Sequence, residues 1–118
     1  MEQKESSVTA EALPLACNLA AIAANERPAH YERADHLMSQ AIQERLELAD
    51  GYAFRYQADD YADLVAFVGN ERLCCPFFHF TLEVSPAQGP IWLRITGGEG
   101  VKAFFVATLT GDQKVGKI

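Results

Sequence analysis

The sequence predicts an α+β fold: a two-layer sandwich with helices on one face of a small three-stranded sheet, mixed or antiparallel. Three observations predict it. Two long stretches carry apolar residues at helical spacing, and a shorter helical stretch closes the chain. Three stretches alternate large and polar side chains, as half-buried strands do. The resulting order is helix, strand, helix, strand, strand, helix. In such an order a crossover helix favours a parallel neighbour, and a short turn favours an antiparallel hairpin.

Composition sets the frame. The 118 residues are 49% hydrophobic and 22% charged, ordinary globular usage that excludes disordered, collagen-like and coiled-coil chains. A single domain is expected over residues 13–109, between polar tails at 1–12 and 110–118. The net charge of −6 opposes nucleic acid or an anionic membrane as a partner. No apolar run is long enough to span a bilayer. The polar, acidic start Met1-Glu2-Gln3-Lys4-Glu5 does not read as a secretory signal, so a cytoplasmic location is expected.

The stretch Leu13-Pro14-Leu15-Ala16-Cys17-Asn18-Leu19 is apolar but punctuated by proline, hence an extended lead-in. The first helix should start near Asn25 to Pro28, with Asn25 as cap and Pro28 in the first turn. Ala34, Leu37, Met38, Ala41, Arg45 and Leu48 then share one stripe, with Ile42 and Leu46 beside it. That pattern reads as one amphipathic helix of about twenty residues, ended by Asp50-Gly51. Tyr52, Phe54 and Tyr56 alternate as a strand.

Asp59-Asp60 caps a second helix, on which Tyr61, Leu64, Val65, Val68 and Arg72 form the expected inner face and Phe67 flanks it. Pro76 stops that helix at Cys74 or Cys75. Residues 77–84 form the strongest strand, with Phe78, Phe80, Leu82 and Val84 on one side and His79 on the other. Ser85-Pro86-Ala87-Gln88-Gly89-Pro90 is a turn. Ile91, Leu93 and Ile95 then mark a returning strand. A final helix carries Val101, Phe104, Phe105, Ala107 and Leu109, after the glycine cluster around Gly97 and Gly100.

The chemistry centres on Cys17, Cys74 and Cys75. Three cysteines are an odd number, which speaks against a structural disulfide framework. Without a CxxC, neither a thioredoxin-type pair nor a paired-knuckle zinc site is indicated. Adjacent reduced cysteines can offer thiolates to a soft ion such as Hg(II), Cu(I), Zn(II) or As(III), with Cys17 as a third ligand. Oxidised together, Cys74 and Cys75 would close an eight-membered ring that could act as a redox switch.

Other features oppose reactivity. The pair sits at the negative end of a helix among Leu73, Pro76, Phe77 and Phe78, and both factors raise a thiol pKa. Neighbouring helical residues point about 100° apart, so two sulfurs meet at one ion only where the helix unwinds. Packing as small core hydrophobes is the competing account. Glu71, Arg72 and His79 are the nearest candidates for support around the thiols. His79 is also the one nearby base for a cysteine nucleophile. Otherwise no hydrolase, P-loop or dinucleotide motif is present. The many aromatics fill the core, with a surplus that suits a ligand pocket or a homodimer face.

Cys17-Asn18-Leu19 with Glu26-Arg27, Glu71-Arg72-Leu73-Cys74-Cys75-Pro76-Phe77 with Phe80, and Gly89-Pro90-Ile91-Trp92-Leu93 with Gly97 and Gly100-Val101-Lys102 resemble a family of small uncharacterised bacterial proteins. The resemblance spans residues 15–105, and Glu-Arg-x-Cys-Cys-Pro-Phe is its most specific element. It implies a loose association with heavy-metal resistance gene neighbourhoods. It implies no catalytic residue.

Overall fold

The computed structural model describes residues 16–107. The expected tails at 1–12 and 110–118, Leu13 to Leu15 of the lead-in, and Leu109 lie outside the described residues. After Cys17 the chain makes two short 3-10 turns, Leu19–Ala21 and Ala24–Glu26. Helix α1, Arg27–Asp35, follows and widens into a π-type turn, His36–Gln40. Strands β1, Glu44–Leu48, and β2, Gly51–Tyr56, come next. A 3-10 turn, Ala58–Asp60, leads into helix α2, Tyr61–Cys74. Strands β3, His79–Val84, and β4, Ile91–Thr96, precede helix α3, Val101–Phe105.

The fold is α+β, with one antiparallel sheet in the order β1-β2-β4-β3. It has four strands where three were expected. The extra strand comes from the C-terminal end of the predicted first helix, where Glu44–Leu48 form β1. Within Glu44-Arg45-Leu46-Glu47-Leu48, leucines alternate with charged residues, a period of two hidden inside a pattern that also fits a helix. Asp50-Gly51, read as a helix stop, belongs to a hairpin in which Leu48 pairs with Gly51 and Glu44 with Arg55. Two features then favour the strand. Ser39 Oγ turns back onto the Asp35 carbonyl near the end of α1, and Lys102 Nζ holds the Leu48 carbonyl at 2.7 Å and the Glu47 carboxylate.

The crossover through α2 does not place β3 beside β2. Strand β4 lies between them and is antiparallel to both. Strands β2 and β3 therefore run in the same direction, one strand apart. Tyr52, Phe54 and Tyr56 stand in register with Ile95, Leu93 and Ile91, and these with Phe80, Leu82 and Val84. Alternation puts all nine on one face.

Against that face pack Ile22, Leu37, Met38, Leu64, Phe67, Cys74, Cys75, Phe78, Val101 and Phe105. Phe54, Phe78 and Phe105 form a ring cluster with centroids 5.8 and 6.0 Å apart. The inner face of α2 differs from the expected one. Tyr61 and Val65 are exposed, and Leu64, Phe67, Glu71 and Cys74 point inward. These four are spaced 3-4-3, a regular stripe that one charged residue conceals. No helix among the described residues is long and apolar enough to cross a membrane.

Candidate thiol site

Helix α2 ends where the sequence says it must. Pro76 cannot continue it, and Cys75 leaves helical geometry with φ −126° and ψ 74°. The Cys75 amide still donates to the Glu71 carbonyl at 2.7 Å, and the Phe78 amide donates to the Cys75 carbonyl at 3.2 Å. This local unwinding brings the two vicinal sulfurs within 3.3 Å of each other. An unbroken helix would hold them apart.

The lead-in closes on the same spot. The Asn18 amide donates to the Cys74 carbonyl at 2.7 Å, satisfying one of the orphan carbonyls of the helix end. The Asn18 side chain in turn accepts from the Ala20 amide at 3.2 Å. Ile22 is fully buried, and Arg27 Nε donates to the Leu19 and Ile22 carbonyls. Cys17 is thereby set beside Cys75, and the two form a disulfide with Cα atoms 4.7 Å apart.

An intramolecular disulfide was not expected from an odd cysteine count. The count bounds how many cysteines can pair, but packing decides whether two of them meet. The eight-membered Cys74–Cys75 ring is not the disulfide present, because Cys75 bonds Cys17 and leaves Cys74 as the free thiol.

All three sulfurs lie within 4.8 Å of one another, Cys17 exposed and Cys74 and Cys75 buried. The Cys74 thiol is pushed up to about 11, first by burial and then by the Glu71 carboxylate, against a smaller opposing effect of the Asn18 backbone amide. In this form it is a protonated, buried hydrogen-bonding group.

Glu71 is the best placed of the residues expected to support the thiols. It lies one helical turn before Cys74 and is buried, with Oε2 2.8 Å from His30 Nε2. His30 is equally buried and stacks on Phe67 at a centroid separation of 5.8 Å. The partnership with His30 is not among the sequence expectations. Its signal was available: Glu71 falls on the apolar stripe of α2, and a buried carboxylate requires a partner. Glu71 Oε1 and His30 Nδ1 have no hydrogen-bond partner among the described residues. Arg72 is exposed in the last turn of α2. His79, exposed at the start of β3, points to the sheet face opposite the core that holds Cys74 and Cys75.

No family model, curated protein or solved structure matches the chain.

Proposed function

We propose that the reduced protein binds a soft metal or metalloid ion, such as Hg(II), As(III), Cu(I) or Zn(II), through the thiolates of Cys17, Cys74 and Cys75. One observation carries this reading. Three cysteines from two distant parts of the chain converge until their sulfurs lie within 4.8 Å. Zn–S bonds of about 2.3 Å put tetrahedral sulfur neighbours roughly 3.8 Å apart, so small side-chain rotations suffice once the disulfide is open. Glu71, held by His30, and the exposed Arg72 are the polar groups beside the helix end. The Glu-Arg-x-Cys-Cys-Pro-Phe resemblance points toward the same ion class.

Ion binding must displace the thiol protons, so affinity rises with pH. The test is titration of the reduced protein with Hg(II) or As(III), followed by the ultraviolet thiolate–metal band. Cys→Ser at each of the three positions is expected to weaken binding. Unaltered affinity in all three variants would overturn the reading.

A second reading has an observation of its own. Cys74 and Cys75 are 2% and 1% exposed and belong to the hydrophobic core. On this reading the chain is an interaction or small-ligand module, homodimeric through the open sheet face or an edge strand, with the thiols as packing. It predicts that Cys74→Ala costs about 1–3 kcal/mol of stability and no bound ion. Sedimentation tests the dimer.

A further inference from the structure

We propose that a small external thiol opens the Cys17–Cys75 disulfide by attacking the Cys17 sulfur, with Cys74 as the positioning residue that hydrogen-bonds the departing Cys75 sulfur. This inference goes beyond ion binding, since the exchange needs no metal.

The two ends of the disulfide are unlike. Cys17 is exposed and lies in irregular backbone just before the Leu19–Ala21 turn. Its sulfur can carry an adduct without breaking a helix or strand. Cys75 is 1% exposed and packed in the core beside the end of α2. Attack there would require the thiol to enter the core. Access therefore selects Cys17 as the attacked sulfur and Cys75 as the leaving group.

A departing Cys75 thiolate would be a buried anion, and it needs a donor. Cys74 Sγ lies 3.3 Å from Cys75 Sγ, within hydrogen-bonding range for sulfur. As the free cysteine of the three, Cys74 carries the proton. An S–H donor directed at the forming thiolate stabilises the charged leaving group, and a stabilised thiolate leaves faster.

The step balances. The external thiolate supplies an electron pair for a new S–S bond to Cys17. The Cys17–Cys75 bond breaks with its pair going to Cys75, which is then protonated from solvent. A second external thiolate attacks the small-molecule sulfur of the mixed disulfide and releases Cys17 as thiolate. Two external thiols are oxidised to one disulfide, and the protein disulfide is reduced to two thiols.

The experiment treats oxidised full-length protein with glutathione in the presence of a chelator, with acid quenching and mass-spectrometric peptide mapping. The glutathione adduct is expected on Cys17. Cys74→Ala is expected to slow opening about three- to tenfold, and Cys74→Ser, whose hydroxyl still donates, to recover most of that rate. An adduct on Cys75 would overturn the assigned direction of attack. Opening of Cys74→Ala at or above the wild-type rate would overturn the positioning role. Because the assay is free of metal, its failure leaves the ion-binding reading intact, and failed ion titration leaves the exchange intact.

Discussion

His30 Nε2 lies 2.8 Å from Glu71 Oε2, joining α1 to α2 through two side chains almost wholly removed from water. The contact holds the helix that carries Cys74 against the helix that follows the Cys17 lead-in. Phe67 covers the imidazole from one side, so water is poorly placed to substitute for a lost partner. His30→Ala leaves a buried carboxyl without its hydrogen bond, and we expect a loss of about 3 kcal/mol in urea unfolding. The double replacement His30→Phe with Glu71→Leu removes both polar groups and should cost clearly less than the single change. A single variant that unfolds at the wild-type urea midpoint would contradict the structural importance of the pair.

The thiol of Cys74 gives stability a specific dependence on alkaline pH. In the folded chain it is pushed up to about 11 from the ordinary thiol value of 9.0, through burial first and Glu71 second. For a group raised by folding, the stabilisation is complete below the unfolded value and is lost as pH climbs through the folded one. The wild type should therefore lose stability between about pH 9 and pH 11, and Cys74→Ala should lack that component. The Tyr56 phenol donates to the Leu37 carbonyl at 2.8 Å. It is also raised, by burial and then by Asp60, and adds an alkaline loss common to both proteins. Urea midpoints at about pH 8 and pH 10.5 provide the comparison. Equal pH slopes for the two proteins would exclude this role for Cys74.

Two glycines should respond oppositely to alanine. A Cβ on Gly51 would run into the backbone of Ile95 and Thr96, where Gly51 pairs with Thr96 of β4. Gly51→Ala should cost about 1–3 kcal/mol and weaken amide protection in β1 and β2. A Cβ on Gly69 would meet nothing within 4 Å, and Gly69 is exposed in the middle of α2. Gly69→Ala should stabilise by about 0.5–1 kcal/mol. Thermal melts of the two variants give the signs, and a shared sign would refute the contrast.

Much of the architecture was legible because local chemistry dictates it. Pro76 ends α2, Ile91, Leu93 and Ile95 alternate onto one face, and Phe80, Leu82 and Val84 do the same beside them. The segment Glu44–Leu48 was not legible. Its leucines satisfy a helical period and a strand period alike, and its strand state depends on pairing with β2 and anchoring by Lys102. Residue type also misassigned the inner face of α2. The spacing of Glu71 from Leu64, Phe67 and Cys74 puts it on the buried stripe, but no local pattern names its partner, His30, 41 positions earlier.

For the site, the sequence by itself determined that Cys74 and Cys75 are adjacent at a proline-stopped helix end, with Cys17 in an apolar lead-in. The tertiary structure decided that Cys17 joins Cys75 across a separation of 58 residues and that Cys74 is left as a buried thiol. The physical reason is one of range. Covalent neighbours impose period and breaks over a few residues, which a sequence displays. Which of three like sulfurs come within bonding distance follows from how Ile22, Asn18 and Arg27 seat the lead-in on the end of α2, and no local pattern records that.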